Sequence, residues 1–397
     1  MAIAVKMREF AERSSWIRRM FEAGALLKGR YGAENVFDFS LGNPDLPPPP
    51  RFGEVLQEVA GQSGSGRHGY MANNGYPHVR EKVAARVSNE QGVIVDGDGV
   101  LMTCGAAGGL NVIMKAILDP GDEVIIIAPF FVEYHFYVDN HGGITRVVPS
   151  AADFSLDLDA IKGALNSRTK AIIINSPNNP TGQIYSAADL AALGKLLTSV
   201  GEEHGTTILM VADEPYRKIV YAGYEVPGVF PAYRNSIVVS SWSKDLSLPG
   251  ERIGYIAVHP QCEERDALLG AMTLANRILG FVNAPALMQR VVSELQDVSV
   301  DCSIYARRRD VFCKILAEAG YDFVPPKGAF YLFPKSPLAD DVEFVALLQE
   351  EKILAVPGRG FGMPGYFRLA FCVEDDVITR SAPGFVKAMA AAKAGCE

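Results

Sequence analysis

Five short runs of almost wholly apolar residues punctuate the middle of the chain: Val124–Ala128, Ala171–Asn175, Ile208–Ala212, Ile237–Ser241 and Ile253–Val258. They are rich in β-branched side chains. A strand with one face in water alternates apolar and polar residues, whereas a strand covered on both faces need not, so these runs suit a buried, mainly parallel sheet. Helical patterns lie between them: Leu110, Ile113, Met114 and Ile117 recur at helical spacing, and a second pattern covers Ala187–Leu197. Strand, helix, strand repetition predicts a doubly wound α/β fold.

From about Ala284 the pattern changes to a long helical stretch through Arg308–Ala319, then isolated strands around Phe330–Phe333 and Tyr366–Ala370. A second, smaller α+β domain is expected there, and at ~150 residues per domain the 397-residue chain has room for two or three. Before the body, Pro47–Pro50 is four consecutive prolines, a stiff non-helical connector. The reading assigns 1–50 to an N-terminal arm and part of the small domain, 51–284 to the large domain and 285–397 to the small C-terminal domain. The segment Met1–Arg19 is basic, but Glu9, Glu12 and the lack of a hydrophobic core segment fit an amphipathic arm helix better than a targeting peptide.

Composition removes several function classes. With 38 Lys plus Arg against 46 Asp plus Glu, the net charge is −8, which argues against a nucleic-acid partner. No apolar run approaches the ~20 residues that span a bilayer. The six cysteines (Cys104, Cys262, Cys302, Cys313, Cys372, Cys396) form no CxxC pair and no zinc-type spacing with His. Free thiols in a reducing compartment are expected, and cytoplasm is the expected location.

Two GxGxxG matches, Gly64–Gly69 and Gly360–Gly365, neither follow a clear strand nor open a helix, and Pro364 blocks helix initiation in the second. In a chain with 38 glycines they read as chance. No GxxxxGK[ST] occurs.

The informative signals sit at the carboxyl ends of the predicted strands, where open α/β sheets bind their ligands. After a strand near Val100–Met102 comes Thr103-Cys-Gly105-Ala106-Ala107-Gly-Gly109, then a helix starting near Leu110. Small residues at a helix start let free N–H groups approach an anion, so the stretch reads equally as a phosphate cradle and as a tight turn. The next strands run into Asn178-Asn-Pro-Thr-Gly182, Asp213-Glu-Pro-Tyr216 and Ser241-Trp-Ser-Lys244, with Arg252 beyond. Asp213 could be a helix cap and Asn178–Gly182 a turn. Lys244 reads either as a solvated loop residue or as a desolvated amine able to form a Schiff base. Each feature alone is ambiguous, but they share a position at consecutive strand ends.

Taken together, the blocks Ser40-Leu-Gly-Asn-Pro-Asp45, Gly75-Tyr-Pro-His-Val-Arg80, Asn179-Pro-Thr-Gly182, Asp213-Glu-Pro-Tyr216, Ser241-Trp-Ser-Lys244 through Arg252-Ile-Gly254, and Phe367-Arg-Leu369 closely resemble the fold-type I pyridoxal-phosphate aminotransferases of class I/II. The resemblance runs from about Phe39 to Phe371 and implies that 51–284 binds the coenzyme. It makes Lys244 the covalent anchor of pyridoxal 5'-phosphate and the base at the substrate Cα. Asp213 would pair with the pyridine nitrogen, Tyr216 and Asn179 would bond the ring's phenolic oxygen, and Phe131 would stack on the ring, with a core role for Phe131 left open beside Phe130. The phosphate would be held by Ser241, Arg252 and backbone N–H groups of Gly105, Ala106 and Ala107, with Ser243 assisting. Tyr70 matches the tyrosine that reaches the phosphate of a neighbouring subunit, which implies a homodimer with active sites at its interface. Arg368 would bind the substrate α-carboxylate, with the Gly42 N–H and Asn179 completing that site.

One departure concerns specificity. A subgroup of prokaryotic aspartate aminotransferases carries a lysine in the glycine-rich turn for the second carboxylate, and this sequence has Ala107 there. The expected activity is ping-pong transfer of an amino group between an L-amino acid and a 2-oxo acid, with 2-oxoglutarate/glutamate as one pair. A C–S β-lyase of the same fold is the nearest alternative. A regulator built on a degenerate coenzyme fold is disfavoured, because every aligned chemical position is filled and the chain offers no basic face.

Overall fold

The computed structural model describes residues 2–13, 15–62 and 64–394, leaving aside the side chains of 12–21. Cys396 lies outside the described residues; Cys104, Cys262, Cys302, Cys313 and Cys372 are free thiols. The N-terminal arm carries two helices, Val5–Arg13 and Ser15–Tyr31. Among the described residues no helix is long and apolar enough to cross a membrane.

The centre is a seven-stranded sheet: β1 (Val100–Thr103), β2 (Glu123–Ala128), β3 (Ile144–Pro149), β4 (Thr169–Asn175), β5 (Leu209–Asp213), β6 (Ser236–Ser241) and β7 (Gly254–Val258), in the spatial order β1-β7-β6-β5-β4-β2-β3. The contiguous pairs from β3 across to β6 are parallel. Every residue of β2, β5 and β6 is buried, as the apolar stretches Val124–Ala128, Leu209–Ala212 and Ile237–Val239 require, with polar residues only at the strand ends. One apolar core, with Leu193, Leu197 and Trp242, lies on one face, and another, with Ile113, Met114 and Met272, on the other.

The run expected at Ile253–Val258 is a strand, but it lies antiparallel to β6 and to β1. The reason is its connection. A parallel return needs a crossover, usually a helix, whereas residues 242–253 form a loop with one short turn at Pro249–Glu251 that brings the chain back beside β6. The edge strand β3 went unread because its burial is broken, with only Val148 fully covered.

Two helices matter for the site. The first, α1 (Pro77–Gln91), packs behind the sheet ends. The second, α2, spans Gly105–Ile117 and so starts earlier than the Leu110 expected from its apolar stripe, placing Ala106 and Ala107 in its first turn. The four-proline run is shorter as a connector than expected, since Pro50 is already the first residue of the helix Pro50–Gly61, a position where the missing N–H costs nothing.

Beyond the sheet, helices Cys302–Glu318, Asp341–Glu350 and Asp375–Ala394 pack with a three-stranded antiparallel sheet of Val356–Pro357, Phe367–Ala370 and Tyr331–Leu332, whereas the helix Ala286–Ser293 packs on the helices Pro50–Gly61 and Pro77–Gln91, with Met288, Val291 and Val292 in the core of the large sheet. Phe37–Asp38 pairs in parallel with Ile353–Leu354, and Phe39 is buried in the aromatic core of this part, against Phe312 and Phe385. The chain before the prolines is thereby bonded to the C-terminal third.

Candidate active site

A cleft of about 320 Å³ opens at the carboxyl ends of β4, β5 and β6, walled by the first turn of α2, by the segment at Gly42 and by Arg368 of the strand Phe367–Ala370. Parallel strands end there with their last side chains turned toward the loops, which is why the predicted motifs converge.

Lys244 follows β6. Its Nζ donates a 2.9 Å hydrogen bond to the Gly42 carbonyl and lies 5.8 Å from the Tyr216 ring centroid and 5.6 Å from that of Phe330. Burial pulls its pKa down to about 8, with Arg368 and Arg252 pushing the same way and the Cys372 thiol opposing. The amine is therefore a nucleophile within reach of neutral pH, unlike a solvated lysine.

Asp213 ends β5 and is buried. Its Oδ2 accepts a 2.6 Å bond from the Tyr134 hydroxyl, while Oδ1 is buried with no protein partner. Burial raises its pKa to about 6, against the opposing bond from Tyr134. Asn175, the last residue of β4, donates to the Asp213 carbonyl at 2.8 Å and accepts from the Asn179 N–H at 2.7 Å, tying two loops together. The Tyr216 and Tyr331 hydroxyls are 2.8 Å apart, and burial raises both phenols.

Arg368 is buried between the rings of Tyr331 and Phe361, 4.8 and 4.7 Å from its guanidinium carbon. Nη1 donates to Asn179 Oδ1 at 3.1 Å and Nη2 to the Ser40 carbonyl at 2.6 Å, leaving Nε without a partner. Gly42 allows this closeness: a Cβ there would sit 2.0 Å from the Tyr331 hydroxyl.

At the other end, Arg252 sits in the left-handed region with φ 52° and donates from Nη1 to the Pro249 carbonyl at 2.7 Å. Gly105 has φ 73°, and a Cβ there would lie 2.8 Å from Arg252 Nη2, so only glycine lets the guanidinium approach the start of α2. Ser241 and Ser243 line the same end.

The cleft therefore gathers Gly42, Ala106, Ala107, Phe131, Asn179, Asp213, Tyr216, Ser241, Lys244, Arg252 and Arg368 from the predicted set, with Gly105 against Arg252. Phe131 lines it edge-on to Tyr134, whereas Phe130 is buried against His135. Tyr70 is not in this chain's cleft; it is 91% exposed. Sequence reasoning missed Tyr134, Tyr137, Asn175 and Tyr331. Tyr134 stands one helical turn beyond Phe131 on the helix Glu133–Asp139, a spacing that was available as a signal.

These residues fit the coenzyme that the resemblance implies. Oδ1 of Asp213 is a buried acceptor awaiting a donor, as a protonated ring nitrogen would be. The free N–H groups in the first turn of α2, beside Arg252 and Ser241, suit a phosphate. Three cations against one carboxylate suit a bound phosphate and a substrate carboxylate together.

Comparison with known proteins agrees. Residues 34–382 match the family "Aminotransferase class I and II". The chain is 31% identical over 369 residues to a probable aspartate/prephenate aminotransferase of Aquifex aeolicus, covering 89% of this chain and 91% of that one. An amino transferase from Eubacterium rectale superposes with a TM-score of 0.94 at 38% identity over 98% of both chains. The aspartate aminotransferase of Thermotoga maritima does so with a TM-score of 0.84 at 28% identity over 97% of this chain and 99% of its own. These names do not favour the C–S lyase alternative. The chain thus belongs to the class I and II aminotransferases and is an enzyme dependent on pyridoxal phosphate.

Proposed function

We propose that the enzyme moves an amino group between an L-amino acid and a 2-oxo acid by a ping-pong mechanism, with glutamate and 2-oxoglutarate as one pair. The observation that carries the reading is the convergence in one cleft of an amine with a depressed pKa, a buried carboxylate oxygen without a donor, and a buried guanidinium fixed by neutral partners.

In this reading Ser241, Arg252 and the N–H groups of Gly105, Ala106 and Ala107 bind the coenzyme phosphate. Asp213 orients the ring through its nitrogen, Tyr216 and Asn179 bond the phenolic oxygen, and Phe131 covers the ring. When bound, pyridoxal phosphate supplies an electron sink for the charge left at the substrate Cα. Arg368 grips the substrate α-carboxylate, with the Gly42 N–H and Asn179 beside it, and so orients the Cα–H bond toward Lys244. The Lys244 Nζ takes the proton from Cα, a task suited to an amine whose pKa lies near operating pH. The Tyr216 and Phe330 rings beside the amine shield that transfer from water.

Residues 51 to about 295 act as the coenzyme-binding domain, a boundary later than the expected 284 because Met288, Val291, Val292 and Leu295 pack in the core of the large sheet, while the rest of the chain to 397 with part of 1–50 forms the small domain carrying Arg368. The exposure of Tyr70 supports a homodimer in which the partner subunit's Tyr70 reaches the phosphate. Cytoplasm is the proposed location. Aspartate, named for the relatives, is a candidate donor, although Ala107 offers its second carboxylate no charge.

The test is a single-turnover experiment: coenzyme-loaded enzyme is mixed with single amino acids and no oxo acid. The reading expects the coenzyme absorbance to change once, with one equivalent of oxo acid per site, and expects Lys244→Ala to abolish the turnover. Continuous release of pyruvate and ammonia from cysteine-type compounds would overturn it in favour of a lyase.

A further inference from the structure

Each of the two residues that mark the site is followed by a carboxylate: Glu214 after Asp213 and Asp245 after Lys244. Both are 2% exposed. A buried carboxylate is costly unless paired, and these two are paired through a single helix end. Asp245 Oδ2 accepts from Arg86 Nη2 at 3.0 Å, and Arg86 Nε donates to Glu90 Oε1 at 2.8 Å. Glu90 Oε2 lies 3.9 Å from Arg217 Nε, and Arg217 Nη1 donates to Glu214 Oε2 at 2.9 Å. Gln91 Nε2 reaches the same Glu214 oxygen at 3.0 Å. Arg86, Glu90 and Gln91 all lie in the later turns of α1.

From this we infer that Arg86 is a positioning residue for the reaction, holding the Lys244 loop through Asp245 while the rest of the ladder holds the Asp213 loop through Glu214. The inference rests on the proposed role of Lys244 as coenzyme anchor.

Three features make the ladder more than a filler of space. The Arg86 guanidinium is held 5.6 Å from the Trp242 ring, on the loop between β6 and Lys244. The loop is pinned again where the Asp245 carbonyl accepts from Val300 N–H at 2.7 Å, and the Glu214 backbone is pinned by Val239 and Ser240 at 2.8 and 3.0 Å. The rung to Asp245 is also single: Arg86 Nη1 and Asp245 Oδ1 have no partner, so one bond alone ties the Asp245 side chain to the ladder. The charged and titratable groups in and facing the ladder are Arg86, Glu90, Arg217, Glu214, Asp245, Lys218, Asp297, the Tyr255 phenol and the Cys302 thiol. Lys218 is the remaining cation near Asp245 once Arg86 is gone, and its Nζ is engaged by the Gln296 carbonyl.

The experiment compares coenzyme-loaded wild type, Arg86→Gln, Arg86→Lys and Lys244→Ala, reading the pH midpoint of the coenzyme's visible absorbance together with kcat and KM for an amino acid. Displacing the amine by a fraction of an ångström should lower kcat of Arg86→Gln on the order of tenfold, with KM within about twofold and the midpoint moved by about half a pH unit or more. Arg86→Lys should recover part of both, since it restores the charge to the rung. A merely structural arginine would lower the melting temperature and leave the midpoint of the folded holoenzyme where it was. Should Arg86→Gln fail to fold, Asp245→Asn breaks the same rung from its other end and is read in the same way. Folded holoenzyme of either variant with wild-type midpoint and kcat overturns the inference. Visible absorbance retained by Lys244→Ala would instead overturn the anchor reading, and with it the target of the ladder.

Discussion

Replacing Tyr134 by Phe removes one oxygen and leaves the ring, which isolates what a single donor does for a buried carboxylate. The Tyr134 hydroxyl bonds Asp213 at 2.6 Å, and it is the one contribution that opposes burial in setting the Asp213 pKa at about 6. A hydrogen bond to a charged acceptor is worth ~1.5–3 kcal/mol, or about one to two pH units. Without the donor, Asp213 in the coenzyme-free chain should therefore move from about 6 to roughly 7–8. Asp213 has a folded pKa above its ordinary 3.8, so it contributes stability in full below that value and loses it as pH rises through the folded pKa. In wild type this loss is complete a little above pH 6; in Tyr134→Phe it continues for another one or two units.

Urea unfolding of the two coenzyme-free proteins from pH 5 to pH 9 measures the difference. The destabilisation by Tyr134→Phe should be smallest at pH 5 and grow by about 1.5–3 kcal/mol by pH 9. Glu214, raised to about 7 by burial, titrates in the same range but is common to both proteins and cancels. A destabilisation independent of pH would show that Asp213 does not depend on Tyr134 for its charge, and would refute the reasoning.

The rate at which coenzyme-free protein captures pyridoxal phosphate should rise with pH about a midpoint near 8, because the Lys244 amine is neutral above it; stopped-flow absorbance showing a midpoint near 10.5 would mean a solvated lysine. Gly42→Ala should cost about 1–3 kcal/mol in denaturant unfolding and weaken the Tyr216–Tyr331 pair, since its Cβ would be 2.0 Å from the Tyr331 hydroxyl. Arg368→Lys keeps the charge but loses the fork, so kcat/KM for an amino acid should fall about 10–100-fold while the coenzyme spectrum stays as in wild type. Unchanged kinetics would mean that the α-carboxylate is bound elsewhere.

What was legible in the sequence follows from how each element is used. β2, β4, β5 and β6 are covered on both faces, so burial itself writes an apolar run. β3 at the sheet edge has Thr145 and Arg146 in its middle, and Phe37–Asp38 or Ile353–Leu354 are too short to show any period. The direction of β7 depended on what residues 242–253 do, which no strand pattern records. In the site, Lys244, Asp213 and Asn179 drew notice because scarce chemical types stand in order at strand ends, with Arg252 beyond, and their roles, like that of Arg368 inside the strand Phe367–Ala370, were readable through the resemblance. Tyr134, Asn175 and Tyr331 were not: their work is to hold those residues, and a tyrosine or asparagine that holds another side chain looks in sequence like any other. Tyr70 was readable only through resemblance, since its surroundings within one chain are solvent.

The partners of the site's charges separate two uses of charge in one small region. Among the described residues lining the cleft, Lys244, Arg252 and Arg368 are the cations and Asp213 the one carboxylate. None is paired with an opposite charge: Lys244 bonds the Gly42 carbonyl, Arg252 the Pro249 carbonyl, Arg368 the Ser40 carbonyl and the Asn179 amide oxygen, and Asp213 the Tyr134 hydroxyl. Neutral dipoles fix direction without cancelling charge, so the field remains available to anionic ligands. Behind the cleft the opposite holds, with Arg86, Glu90, Arg217, Glu214 and Asp245 set against one another. Had Arg368 or Lys244 been given such a carboxylate partner, a substrate would have to displace a buried ion pair before binding. Keeping the ion pairs on the far side of the same two loops holds the loops in place without spending the charge that faces the ligand.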